Sequence, residues 1–121
     1  MTYLAAFEDQ SRGVQRSALI AALERDWPTA TIREQQGSQE SRDVVWAFSE
    51  DNRELEGYSH VDGTCIYLES NLDLAARFVL WFRNLIPEDI DLVFCDDGYN
   101  FSGNIEIGMT VDDVRAIAVD S

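Results

Sequence analysis

Apolar and polar positions along this chain alternate with changing period, and each change marks an element. Residues 1–8, MTYLAAFE, are compatible with a first strand. Over 11–27, SRGVQRSALIAALERDW, Val14, Leu19, Ile20, Leu23 and Trp27 fall broadly on one helical face; Ser11 stands where a cap belongs and Pro28 stops the helix. TATIREQQ reads as a second strand and GSQESRD, 37–43, as a polar loop. Residues 43–69 then form an antiparallel meander of three strands. DVVWAFSE is β-branched and aromatic, and EDNR turns the chain. ELEGYSHV alternates, with Leu55, Gly57, Ser59 and Val61 on one face and Glu56, Tyr58, His60 and Asp62 on the other. Asp62–Gly63 is a two-residue hairpin signal that sets His60 opposite Cys65 in TCIYLE.

The 71–86 stretch, NLDLAARFVLWFRNLI, is a helix with two adjacent apolar faces. One carries Leu72, Ala75, Val79, Phe82 and Ile86, the other Leu74, Phe78, Trp81 and Leu85, leaving a narrow polar strip through Asp73, Arg77 and Asn84. Such a helix is packed on two sides, by its own fold or by its fold and a partner. Ser70 and Asp73 resemble a capping box, and Asp73 and Arg77 have the spacing of an ion pair. Pro87 ends the helix; DLVFC and NIEIG follow as strands around DDGYNFSG, and GMTVDDVRAIAV closes as a short helix capped by Thr110 with Asp113. The order β-α-β-β-β-β-α-β-β-α, with strands joined by tight turns, predicts an α+β fold. It is an antiparallel sheet of about five to seven strands carrying two main helices and a short C-terminal one. The 121 residues suit one domain, 1–121, and a composition that is 45% hydrophobic supplies a core without staples.

Charge narrows the function. There are 23 acidic residues against nine basic ones, all arginine, for a net charge of −14. Residues 1–49 carry seven acids and five arginines; residues 50–121 carry 16 acids and four arginines. This balance disfavours nucleic acid and anionic lipid, whose binding depends on Lys and Arg, and favours a basic protein partner. No run of about 18 apolar residues exists to span a membrane. The N-terminus lacks the basic and apolar regions of a signal peptide, so a cytoplasmic protein with reduced thiols is expected. Cys65 and Cys95 each sit between apolar neighbours inside a predicted strand, where a thiol acts as a small hydrophobe. Their spacing does not fix whether they lie close enough to pair.

No catalytic motif emerges. Asp96 and Asp97 are adjacent and, with Asn100, Asn104 and Glu106, do not match the alternate-position spacing of a calcium loop. The single histidine, His60, has Cys65 across the hairpin but no oxyanion loop or phosphate cradle around it. No enzyme activity, cofactor or metal is expected. DDG is hairpin chemistry, yet the tip gathers a tyrosine among acids, as a contact surface for a basic protein does. The candidate partner-binding residues are Asp96, Asp97, Tyr99, Asn100 and Glu106 in this loop, with Glu54 and Glu56 from the meander.

The compact α+β size, the negative charge concentrated in the C-terminal half, and the stretch LDLAARFVLWFRNLIPEDIDLVFCDDGYNFSGNIEI, residues 72–107, together resemble the small acidic immunity proteins of bacterial toxin–immunity systems, including contact-dependent inhibition and other polymorphic toxins. The resemblance implies inhibition by direct binding: a basic toxin domain, such as a nuclease, is blocked by a surface of complementary charge. Two other readings stay open. One is a structural or adaptor domain forming a homodimer through the apolar helix 71–86; the other is a small enzyme or ligand-binding domain built around His60.

Overall fold

The computed structural model describes residues 2–9, 11–34, 42–60 and 63–119. The elements follow in the expected order: β1 (Thr2–Phe7), α1 (Arg16–Asp26), β2 (Thr31–Glu34), β3 (Arg42–Glu50), β4 (Arg53–His60), β5 (Cys65–Glu69), α2 (Leu72–Leu85), β6 (Leu92–Asp96), β7 (Ser102–Ile105) and α3 (Val111–Val119). The fold is α+β. One antiparallel sheet runs β2-β3-β4-β5-β1-β6-β7, so the N-terminal strand lies between β5 and β6 and joins the meander to the C-terminal hairpin. No helix among the described residues is long and apolar enough to cross a membrane.

The strands sort their side chains by alternation. Tyr3, Ala5, Phe7, Val44, Trp46, Phe48, Leu55, Ile66, Leu68, Leu92 and Phe94 point to one face and are buried in a single core under the three helices. The face expected for Leu55, Gly57 and Ser59 is this one. β3 breaks its alternation once, at a bulge between Arg42 and Val45, which turns both Asp43 and Val44 inward. The amide N–H of Val44, displaced from the ladder there, donates to Ser59 Oγ at 3.1 Å. The Asp43 carboxylate accepts from Arg16 at the start of α1.

The aromatic docking of α2 is the main helix–sheet contact. Trp46 on β3 is fully buried and stacks on Phe78 of α2, with centroids 5.5 Å apart and planes 13° from parallel. Phe78 also meets Phe48, Trp27 and Trp81. Gly57 makes room for the indole: it is the cross-strand partner of Trp46, and a Cβ there would fall 2.5 Å from indole Cε2. Burying one such aromatic is worth about 1.5–3 kcal/mol. The exposed ion pairs around the helices, such as Arg77–Glu50 at 2.6 Å, each contribute at most about 1 kcal/mol. Packing, not charge, therefore holds the layers together. Both apolar faces of α2 are packed within the chain, against the sheet below, against Trp27, which meets Phe78 and Trp81, on one flank, and against α3 on the other.

The helix starts differ from expectation where side chains found better partners. Ser11 does not cap α1; its N–H and Oγ both donate to Asp9 Oδ1, at 3.0 and 2.6 Å, in a turn that follows β1. The chain then crosses the end of β5, where Val14 N–H donates to Gly63 O at 2.9 Å, and α1 starts only at Arg16. Gly63 permits that crossing, with φ +76° and a Cβ position only 2.6 Å from Val14 O. α2 is capped by Asn71, whose Oδ1 accepts from Leu74 N–H at 2.8 Å; Ser70 is buried one residue earlier and donates to Asn71 O. Asp73 pairs with Arg53 and Arg115 from other elements, not with Arg77. The Thr110–Asp113 capping box forms as expected, with Thr110 N–H to Asp113 Oδ2 at 2.9 Å and the reciprocal bond at 3.2 Å. Asp51 and Asn52, with φ of 52° and 63°, make the two-residue turn between β3 and β4. At the next reversal Gly63 N–H donates to His60 O at 2.9 Å. Val61 and Asp62 lie outside the described residues, as do 35–36 of the expected second strand and 37–41 of the expected polar loop.

The Trp46–Gly57 contact predicts that Gly57→Ala lowers stability by about 1–3 kcal/mol, because neither the indole nor the strand has room to yield. Urea unfolding followed by tryptophan fluorescence measures this; an unchanged midpoint would refute the packing argument.

Candidate functional site

All three helices pack on one face of the sheet, and no element among the described residues covers the other. Its centre is apolar and aromatic. Tyr58 on β4 and Tyr67 on β5 are direct cross-strand partners, stacked with ring centroids 4.7 Å apart and planes 16° from parallel. Leu4 is opposite both Tyr67 and Cys95; Val45 is opposite Tyr58. The guanidinium of Arg42 lies over the Tyr58 ring, 4.3 Å from its centroid. Burial raises the pKa of the Tyr67 phenol above its ordinary value, with further contributions from Cys65, Tyr58 and Tyr99. Tyr99 lies on the hairpin between β6 and β7.

An acidic row borders these rings. Glu56 pairs with Glu69, Glu69 with Thr2, and Asp97 N–H donates to Thr2 O at 3.2 Å. The Thr2 hydroxyl donates to the Glu69 carboxylate. Glu56 and Glu69 are both exposed, on directly opposed positions of one face. Arg42, Glu56, Tyr58, Tyr67 and Glu69, with Thr2, Val45 and Gly57, line a cleft of about 250 Å³. A neighbouring cleft of about 430 Å³ continues past Glu54 toward Asn71.

The registers set Glu54, Glu56 and Asp97 toward one end of the sheet, but β5 and β1 stand between β4 and β6, so Asp97 and the Tyr99–Asn100 tip lie about 14 Å, three strand spacings, from the glutamates. Tyr99 is 76% exposed and adopts φ +54°, a left-handed conformation that costs a bulky residue about 1–2 kcal/mol. Glycine would relieve that cost, but Gly98 sits one residue earlier. The backbone therefore offers no reason for tyrosine at this position.

Two expected residues take other places. Asp96 is 1% exposed. Its carboxylate accepts from Asn100 N–H at 2.7 Å and from Asn100 Nδ2 at 2.8 Å, closing the hairpin from within. These bonds, the side-chain amide foremost, hold its pKa below the ordinary carboxyl value. Glu106 follows β7 at the opposite end of the sheet, where Ile105 pairs with Leu92 and Leu92 with Phe7. It borders a separate cleft of about 300 Å³ with Glu88, Asp91 and Arg83. Arg83 is buried, and its guanidinium donates to the carbonyls of Ile86, Pro87 and Ile90 at the end of α2.

Sequence reasoning missed Tyr58, Tyr67, Glu69 and Arg42. The signal for the first two was present: the register that sets His60 opposite Cys65 also sets Tyr58 opposite Tyr67. The observed pairing of Ser59 with Ile66 confirms that register. Cys65 and Cys95 share this face but oppose Ala6 and Leu4 of the intervening β1. Two strand spacings separate them by about 10 Å, beyond the reach of a disulfide without backbone movement. Among the described residues, no three His, Cys, Asp or Glu side chains are grouped to hold a metal. Compared with family models, curated proteins and solved structures, the chain matches none.

The Asp96 contacts generate a pH dependence. A carboxyl whose pKa is lower folded than unfolded stabilises the fold above the ordinary carboxyl range, and that stabilisation is lost as pH falls through the folded value. Asp96→Asn is therefore destabilising at neutral pH, and its deficit relative to the parent shrinks on acidification from about pH 5 to about pH 2. Asp97→Asn, which removes the same charge one residue later, is the control. Urea midpoints across that range are the measurement, and a deficit independent of pH contradicts the assignment.

Proposed function

We propose that this chain is a non-catalytic inhibitor that neutralises a basic protein by direct binding, as the immunity partner of a toxin domain does. The carrying observation is the sheet face that no described element covers, where the stacked Tyr58 and Tyr67 are bordered by Glu54, Glu56 and Glu69, with the exposed Tyr99 on the β6–β7 hairpin toward the same end of the sheet. Stacked or outward-held tyrosines offer large contact area at small entropic cost, and aromatic anchors of this kind dominate binding energy at interfaces. The surrounding carboxylates, in a chain of net charge −14, accelerate encounter with a cationic surface and select against anionic ones. The same charge supports neither nucleic acid nor an anionic membrane as the partner.

In this reading the work is divided. The acids set the association rate and its salt dependence, and the tyrosines set the lifetime of the complex. The left-handed backbone at Tyr99 stores a local cost that contact with a partner repays.

The test begins with affinity capture from the native organism at low salt, followed by a salt gradient and an activity assay of the released protein. The expected result is a basic protein whose activity is abolished at one-to-one stoichiometry. Tyr99→Asn keeps a residue that tolerates the left-handed backbone. It is expected to leave unfolding stability intact while weakening that complex at least about tenfold, equivalent to about 1.4 kcal/mol. A captured protein whose activity is unaffected by saturating inhibitor would sink the proposal.

A further inference from the structure

We infer that the outer edge of β7 is a docking edge for an extended segment of a basic protein, which adds a strand to the sheet and lays a lysine or arginine side chain into the acidic cleft beside Glu106. This goes beyond the inhibitor reading. The edge is a surface separate from the tyrosine face, and its role stands or falls without it.

The strand order leaves two edges, β2 and β7. β2 carries the exposed charges of Arg33 and Glu34, which discourage pairing with another chain. β7 reads SGNI, with neither charge nor proline. The neighbouring ladder shows which of its backbone groups are already used. Glu8 N–H donates to Asp91 O at 3.0 Å, and Asp97 N–H donates to Thr2 O at 3.2 Å. In an antiparallel pair, hydrogen-bonded and non-hydrogen-bonded positions alternate. Val93 and Cys95 therefore turn their backbone groups to β1, and Leu92 and Phe94 turn theirs to Ile105 and Gly103. Ser102 and Asn104 are left with N–H and C=O directed away from the sheet, and both residues are exposed. Among the described residues no backbone bond crosses that edge. α3 packs on the helix side of the strand, where Gly103 makes room for Ile117, and leaves the edge itself open.

Charge selects the occupant. The cleft of about 300 Å³ where β7 ends is lined by Glu88, Asp91 and Glu106, with Asn104 and the exposed Ile107. No ion pair or side-chain hydrogen bond among the described residues engages these three carboxylates. The wall that carries Glu88 and Asp91 is held in place from within, because the buried Arg83 guanidinium donates to Pro87 O and Ile90 O, each at 2.6 Å. The acids are thus set beside the edge before a partner arrives. Main-chain bonds give such an edge affinity for any extended segment, and the cleft gives it a preference for a cation. A second copy of this chain is a poor occupant, since it sets a net charge of −14 against the same.

The probe is an acetylated and amidated hexapeptide of alternating arginine and valine, titrated into the full chain and followed by amide NMR and hydrogen exchange. Saturable shifts centred on β7 are expected, with exchange of the Ser102 and Asn104 N–H groups slowed about tenfold near saturation. The glutamate–valine counterpart, and an arginine–valine peptide N-methylated at every residue, are expected to give neither. Asn104→Pro removes one outward N–H and leaves the ladder to β6 whole, as proline on an edge strand does. It is expected to stay folded and to weaken binding about fivefold or more. Should that variant unfold, the N-methylated peptide tests the pairing on the unaltered chain. Glu106→Gln keeps every backbone bond and is expected to weaken binding about two- to threefold, an effect that shrinks at high salt. An equal response to the glutamate or the N-methylated peptide overturns the inference, as do shifts centred on Tyr58 and Tyr67 or spread over the acidic surface. Protection of Ser102 and Asn104 that rises with protein concentration before any peptide is added also overturns it, because a second copy then holds the edge.

Discussion

The pairing of β1 on both of its edges is the constraint on which the rest of the molecule depends. The meander β2–β5 and the hairpin β6–β7 are each local structures, built from neighbouring segments and tight turns. β1 joins them by antiparallel ladders to β5 and β6, and its own neighbours in sequence take no part. These contacts are long in sequence and costly in loop entropy. They are repaid by the core that a continuous sheet offers to the helices: Tyr3 stacks on Phe94, and Phe7 meets Phe82 of α2. Because alternation is strict, the same register that turns Tyr3, Ala5 and Phe7 toward the helices turns Thr2, Leu4 and Ala6 toward the open face. Core and candidate site are thus two sides of one pairing.

The open face bears costs that the core does not need. Tyr99 holds a left-handed backbone, and Tyr58 and Tyr67 remain half-exposed although the core has ample aromatic partners of its own. Local features that work against stability, gathered at one end of one face, mark a surface shaped by something other than folding. The acids on the helices differ in kind. Asp112 and Asp113 sit in the first turn of α3, where its dipole and the capping box use them, and Asp26 accepts from the Trp81 indole at 2.7 Å. These three acids thus have structural roles.

Legibility followed the range of the interaction concerned. The Thr110–Asp113 box, the Asp51–Asn52 turn and the His60–Cys65 register depend on residues a few positions apart, and all were readable. The start of α1 was not, because Asp9 drew Ser11 into a turn and Gly63 drew Val14 across the sheet, the latter a contact between segments far apart in sequence. The cap of α2 moved by one residue because the core claimed Ser70. Asp73 and Arg77 have the spacing of a helical pair, but arginines and a glutamate from other elements competed successfully for both.

The candidate site divides in the same way. Composition and alternation were enough to set the fold class, the order of elements, the face each β4 residue occupies and the acidic, aromatic character of the contact residues, because these follow from side-chain chemistry and local period. The tertiary structure alone decided which of those residues meet. It set Glu56 opposite Glu69, and Glu69 opposite Thr2, and put Arg42 over Tyr58. It also drew Asp96 inside as a hairpin bolt and sent Glu106 to the far end of the sheet. The physical reason is that strand order and register between distant segments are chosen by the packing of the whole core, and a change of one strand's position would have redistributed every one of these neighbours.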